Sequence, residues 1–371
     1  MKLRIGILGT RGIPNHYGGF EQFAEYLSTG LANRGHQVIV YNSHNHPYQE
    51  KTWNNVQIVH CYDPEQTLGT MGQFLYDFNC IRDTRKRNLD VLLMLGFTSS
   101  SAWGWLYPKK TAVIFNMDGL EWKRTKYSSP VRKFLRFAEE LAVKFGDFYV
   151  SDSTLIQNFL LKKYNIQSEY IPYGAEVFLN EDDFYLNEYD VTRYSYYLIM
   201  ARMEPENNIE TILEGFTLSN SKKIILVIGN TTNKFGQYLL SKFRNDNRIR
   251  FIGPIFDDDQ KLHTLKTFCH LYFHGHSVGG TNPSLLEAMA SRALIAAHNN
   301  PFNKNILNEN AFYFETPLDV QQIIENTDRG DAEMSMIQTN LNKIKKDFCW
   351  GEIICKYESF LKMAFTKYKS Y

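Results

Sequence analysis

Short apolar runs alternate with longer amphipathic stretches along the whole chain. "LRIGILG" comes first, followed by "FEQFAEYLSTGLANRG", in which Phe20, Phe23, Ala24, Leu27 and Leu31 recur at helical spacing. "QVIVYNS", "VQIVHCY", "VLLMLG", "TAVIFNMDG" and "DFYVSDS" follow, with polar-faced helical stretches between them. The rhythm restarts with "YYLIMAR" and continues through "KIILVIGN", "IRFIGPI", "CHLYFHGH", "ALIAAHN" and "AFYFE". Runs of four to seven mostly β-branched residues between helices predict parallel sheets buried on both faces.

Between Gly174 and Tyr194 the pattern breaks. "AEVFLNEDDFYLNEYDVTRYS" is acidic, aromatic and without clear period, and reads as a linker. The expected fold is α/β, with two tandem Rossmann-like, doubly wound domains and a site in the cleft between them. Residues 1–175 form the first, 176–193 the linker and 194–350 the second. The closing helix, 351–371, either runs back to the first domain or packs on its own.

The 371 residues include 43% hydrophobic and 15% aromatic side chains, enough for two large cores. A formal charge of +1 argues against a dedicated nucleic-acid binder. The charge is uneven. Up to Val150 there are 18 Lys/Arg against 13 Asp/Glu, and beyond it 23 against 27. Five scattered cysteines without a CxxC pair speak against a disulfide framework or a thiolate zinc site. "MKLRIGILG" reads as a strand rather than a signal peptide, and no run of 18 apolar residues occurs. The expected location is the cytoplasm, with peripheral contact at the inner face of the membrane left open.

"GILGTRGIPNHYGGFEQFAEYL" joins the first strand to the first helix. Its glycines invite a dinucleotide reading, but the spacing is GxxGxxG, the helix starts late, and the second strand ends without an acidic residue. Gly18 and Gly19 at the helix N-terminus could bring backbone N–H groups close to an anion, or serve only to turn the chain. Glu21 fits ordinary first-turn chemistry.

"HGHSVGGTNPSLLEAMA", His274 to Ala290, admits three readings: a metal site, a plain strand-to-helix turn, or a phosphate cradle. No HExxH and no suitably spaced carboxylate supports a metal. The cradle fits best. Asn282 is a good N-cap and Pro283 a good first helical residue, while Gly279, Gly280, Thr281 and Ser284 crowd donors at the helix start. Glu287, a turn further in, suits ribose hydroxyls better than phosphate. The acidic run Asp257–Asp259 reads as helix capping.

The run "NPSLLEAMASRALIAA" on two tandem Rossmann-like domains resembles the second domain of the family-4 retaining glycosyltransferases, which have the GT-B fold. That family carries two glutamates eight positions apart; the second matches Glu287, and the first falls at Gly279. Its basic pair is matched by Arg202, with Asn207 where a lysine is expected. "RGIPNHYGGFE", "NMDGLEWKR", "ARMEPENNIE" and "HGHSVGGTNPSLLEAM" together resemble a bacterial subgroup of rhamnosyltransferases of capsule and exopolysaccharide synthesis.

The resemblance implies a nucleotide-diphosphate-sugar donor, with Arg202 on its diphosphate and Asn207 nearby. It places Gly280, Thr281, Asn282 and Ser284 at the phosphates, Glu287 at the ribose, Gly279 at the altered sugar end, and Gly18 and Gly19 closing from the first domain. Catalysis then needs charge stabilisation at the leaving diphosphate, without metal or other cofactor. Asp118, Arg202 and His276 are the candidate catalytic residues: Asp118 toward sugar or acceptor hydroxyls, His276 as a donor toward sugar or phosphate. L-rhamnose from dTDP-rhamnose and a lipid-linked acceptor are the implied substrates. The basic, aromatic stretch 122–137, "WKRTKYSSPVRKFLRF", then suits an anionic membrane surface or simply a solvated face. UDP- or GDP-hexose transfer, a nucleotide-sugar epimerase of the same architecture and a non-catalytic binding module are the alternatives.

Overall fold

The structure is a computed structural model that describes all residues except Tyr17, Asp118, Thr125, Lys126, Asn180, Glu181, Phe256, Asp257 and Tyr371. The chain divides into two compact units. One comprises Met1–Trp122, Tyr127–Tyr173 and Trp350–Tyr371; the other comprises Lys123–Lys126 and Gly174–Cys349.

The first unit holds strands β1 (Arg4–Leu8), β2 (Gln37–Ser43), β3 (Thr52–Trp53), β4 (Val56–Cys61), β5 (Val91–Leu95), β6 (Ala112–Asn116), β7 (Phe148–Ser151) and β8 (Glu169–Tyr170). They form one sheet in the order β3-β4-β2-β1-β5-β6-β7-β8, parallel except for β3 against β4. The five residues of β5 and of β6 are all buried, as a sheet covered on both faces requires. The apolar stripe of the first helix, Gly19–Asn33, buries Phe23, Ala24, Leu27 and Leu31.

The closing helix, Trp350–Lys369, belongs to this first unit. Trp350 stacks on Tyr26 with ring centroids 4.5 Å apart, and Phe23 meets Tyr357 edge-on at 5.2 Å. Such pairs contribute about 0.5–1.5 kcal/mol beyond the area they bury. Glu358 accepts from Arg34 at 2.8 Å and contacts His36 at 3.1 Å; Lys362 and Arg34 hold its carboxyl down at about 2.

The second unit holds β9 (Tyr196–Met200), β10 (Ile224–Ile228), β11 (Ile249–Gly253), β12 (Leu271–His274), β13 (Ile295–His298) and β14 (Phe312–Phe314). This sheet is parallel throughout, in the order β11-β10-β9-β12-β13-β14. Ile199, Val227, Leu271 and Phe273 join Ile212, Leu213 and Phe216 in one core. The strand order reverses between β9 and β12. The loops after these two strands therefore emerge side by side at the carboxyl edge, the usual ligand position in open α/β sheets.

The stretch read as a linker, 176–193, is part of this second unit. Phe184–Tyr189 forms a 3₁₀ turn against the helix Asp259–Phe268. Lys261 donates to Glu188 at 2.8 Å, and Arg250 donates to the Tyr189 carbonyl at 3.0 Å. Contacts made by individual side chains need no regular period, so the pattern alone reads as a span.

Candidate donor site

In the second unit, the loop after β9 and the loop after β12 are locked together. Asn208 Nδ2 donates to the Gly275 carbonyl at 2.8 Å. Ser277 donates to the Glu206 carbonyl twice, from N at 3.1 Å and from Oγ at 2.8 Å. Position 275 must be glycine for this approach: a Cβ there would stand 2.0 Å from the Asn207 carbonyl oxygen.

Arg202 and His276 come from these two loops. His276 is held low, at about 4, by burial first and then by the positive charges of Arg202 and Arg124. It is therefore neutral at pH 7 and able to donate one ring N–H. His274 lies under it, ring on ring at 4.5 Å and 17°. His276 lies two residues past His274, where β12 ends, and the two imidazoles stack there. His274 is fully enclosed, and burial holds its pKa well below the usual histidine range. Among the described residues, no group of three or more His, Cys, Asp or Glu is placed to hold a metal ion.

Asn207 stands where the lysine was expected, but it is buried and its amide donates to the Arg202 carbonyl at 2.7 Å. It shapes the loop that carries Arg202. The next loop ends in the predicted cap. Asn282 Oδ1 accepts from Ser284 N at 3.0 Å and from Ser284 Oγ at 2.8 Å, and Pro283 opens the helix Pro283–Ala290. Both Ser284 donors thus serve the cap, which shifts the anion-binding expectation onto the loop Gly279–Thr281. Thr281 and Gly280 are buried, and Gly279 has φ +140° with no atom within 4 Å of a Cβ built there. A side chain at position 279 would be strained whatever the space, because φ +140° is a conformation that L side chains rarely adopt.

Glu287 lies one turn into this helix and accepts from Lys266 Nζ at 2.6 Å. Lys266, on Asp259–Phe268, was not singled out from the sequence; its only signal is a lysine inside the apolar run "LKTFC". Of the acidic run, Asp258 is the N-cap of that helix, accepting from Lys261 N at 2.9 Å, and Asp257 is outside the described residues.

In the first unit, Gly18 is the N-cap residue of the helix that starts at Gly19. Glu21 is buried and braces the glycine loop, accepting from Thr10 Oγ1 at 3.1 Å and from Arg11 N at 2.8 Å. Gly12, at φ +127°, sits against Asn42, whose amide pairs with both polar groups of the Ile13 backbone. The glycines that suggested a dinucleotide loop are thus set by turn geometry and close packing. Asp77 went unnoticed in the sequence. It is enclosed beside Ser99, whose hydroxyl donates to it at 2.5 Å, and burial pushes its carboxyl up to about 7.

Asp118 falls outside the described residues. Trp122 donates to the buried Glu139 at 3.1 Å, and Arg136 lies 4.5 Å over its ring. On the helix Ser129–Phe145, Val131 and Phe137 are exposed beside exposed Arg132 and Lys133. Among the described residues, no helix is long and apolar enough to cross a membrane.

Residues 187–329 match the family model described as glycosyl transferases group 1, and residues 2–176 match a domain of unknown function, DUF1972. No curated protein matches the sequence. Among solved structures, the chain is similar to a sucrose-phosphate synthase from Thermosynechococcus elongatus, at 13% identity with TM-score 0.81, covering 99% of this chain and 100% of that one. It is also similar to a glycosyltransferase from Rickettsia africae, at 14% identity with TM-score 0.71 over 98% of each chain. HepE from Anabaena in complex with UDP-glucose matches at 11% identity with TM-score 0.75, covering 97% of this chain and 100% of that one. The structural likeness defines the fold as GT-B. The group 1 match over residues 187–329, within the second unit, supports a glycosyltransferase.

Proposed function

We propose that this glycosyltransferase takes a nucleotide-diphosphate sugar, L-rhamnose on dTDP, and transfers the sugar with retention to a lipid-linked saccharide in surface-polysaccharide synthesis. The observation that carries the reading is the carboxyl edge at the β9–β12 reversal. There a glycine loop and a capped helix N-terminus follow β12, and Arg202 and neutral His276 stand on the adjoining loops. Such an edge suits a diphosphate leaving group. When the bond between the anomeric carbon and the diphosphate breaks, negative charge grows on the phosphate oxygens. Arg202 and the helix N-terminus offer fixed positive charge to meet it. His276 adds a neutral donor, and Glu287 is assigned to the nucleoside's sugar hydroxyls. Asp118 is assigned to the sugar or acceptor hydroxyls, and Gly18 and Gly19 to the diphosphate. The open space at Gly279 supports a donor other than glucose, since no carboxylate reaches the sugar from there.

Exposed Val131 and Phe137 beside Arg132 and Lys133 support docking on an anionic membrane, where a lipid-linked acceptor would be met. Calorimetric titration with dTDP-rhamnose, UDP-glucose and GDP-mannose tests the donor. Tightest binding of dTDP-rhamnose and its transfer to a lipid-linked glucose acceptor are expected. Binding of UDP-glucose alone would sink the rhamnose assignment while leaving the enzyme class intact.

A further inference from the structure

His276 lies beyond the end of β12, so its place is set by what the neighbouring loops supply. Its Nδ1 is buried and has no hydrogen-bond partner among the described residues. The ring rests on His274, and otherwise its direction follows from the backbone that carries it. That backbone is gripped from two sides. Toward β9, Asn208 holds the Gly275 carbonyl, and Ser277 donates to the Glu206 carbonyl. Toward β13, Asn300 Nδ2 and Asn303 Nδ2 both donate to the His276 carbonyl at 3.1 Å. The same two amides reach the His298 carbonyl at the end of β13, at 3.1 and 2.9 Å. Both asparagines are buried. A buried carbonyl escapes the cost of burial with one donor. Two side-chain amides on one carbonyl fill both its lone pairs and fix its direction as well.

We propose that Asn303, together with Asn300, is a positioning residue for the donor: it fixes the backbone of His276 and so holds that imidazole, out of water, toward the donor diphosphate. The proposal rests on the assignment of His276 to the donor. Asn303 is the better of the two to replace. Asn300 Oδ1 also accepts from Phe302 N and Asn303 N, so that residue caps the helix Pro301–Leu307 as well. The charged and titratable groups facing His276 are Arg202, Arg124, Glu204 and, beneath it, His274, which in turn faces His298. Burial holds both His274 and His298 below the usual histidine range.

The test is calorimetric titration of dTDP and UDP into the full chain at pH 7.5, for wild type, Asn303→Leu, His276→Ala and the double variant. Asn303→Leu should bind about fivefold more weakly than wild type, and the double variant no more weakly than His276→Ala. Nitrogen-15 NMR of the labelled imidazoles adds a reading that a merely loosened fold would not give. His276, held at about 4 in wild type, should stay neutral down to pH 5.5. In Asn303→Leu, once water reaches the ring, it should take up a proton near the ordinary histidine value of about 6.5. An Asn303→Leu loss that recurs in full on the His276→Ala background overturns the proposal. So does a His276 that stays neutral in Asn303→Leu, or an unchanged affinity of that variant. Unchanged affinity in His276→Ala removes His276 from the donor, and the role of Asn303 with it, while Arg202→Ala still tests the donor site. Should Asn303→Leu not fold, Asn303→Asp, of the same shape and without the amide donors, is read by the same outcomes.

Discussion

Replacing Gly275 by Ala tests whether the two loops at the β9–β12 reversal act as one structure. The φ of Gly275 lies outside the left-handed region, so alanine meets no backbone strain of its own there. The new Cβ, however, would stand 2.0 Å from the Asn207 carbonyl oxygen and 3.0 Å from its carbon. Relief requires the loops to part by on the order of 1 Å. That movement works against three hydrogen bonds, the one from Asn208 to Gly275 and the two from Ser277 to Glu206. Losing two or three of these at about 1 kcal/mol each, with overpacking of about 1–3 kcal/mol, sets the gross cost. Alanine returns only about 0.4–1 kcal/mol by restricting the unfolded chain. The net loss is therefore about 2–5 kcal/mol, or roughly 5–15 °C in the melting temperature of a unit this size. Calorimetric melting and titration with UDP or dTDP measure both consequences. A Gly275→Ala variant that melts within about 2 °C of wild type and binds nucleotide equally well would refute the coupling.

Arg202→Ala should weaken dTDP or UDP by about 1–3 kcal/mol while leaving the melting temperature near wild type; equal affinity would remove Arg202 from the diphosphate site. Gly279→Ala meets no neighbour but must adopt φ +140°, so it should cost about 1–3 kcal/mol through strain alone; an unchanged melting temperature would mean that the loop readily takes another path. Asp77 is raised to about 7, so its folded form prefers the proton. Its contribution is fully present below the unfolded carboxyl pKa near 4 and is lost as pH rises through about 7. Asp77→Asn should therefore stabilise the protein at pH 8 by about 1–3 kcal/mol and have little effect at or below about pH 4. Melting curves at both pH values check this, and equal shifts at the two would contradict the burial argument.

The strands were legible in the sequence because a parallel sheet covered on both faces demands continuous apolar runs. "QVIVYNS" is β2, "VLLML" is β5 and "YYLIM" is β9. The two-residue strands β3 and β8 were not legible, since a pair of residues carries no period. Local chemistry was equally readable where it is local. Asn282 and Pro283 cap and open a helix because the groups they satisfy lie within three residues.

Partnerships between distant elements needed the tertiary structure. The sequence presented Ser284 as a phosphate donor and Glu287 as suited to ribose hydroxyls, and the family resemblance put Asn207 where a lysine is expected. The fold turns both Ser284 donors onto Asn282, the Asn207 amide onto Arg202, and Lys266 onto Glu287 across 21 residues. It likewise brings the loop after β9 against the loop after β12, some 70 residues on, through the reversal of strand order. Periodicity reports how each segment meets its own environment. Which buried charge meets which depends on the packing of whole helices, and only the closed chain settles that.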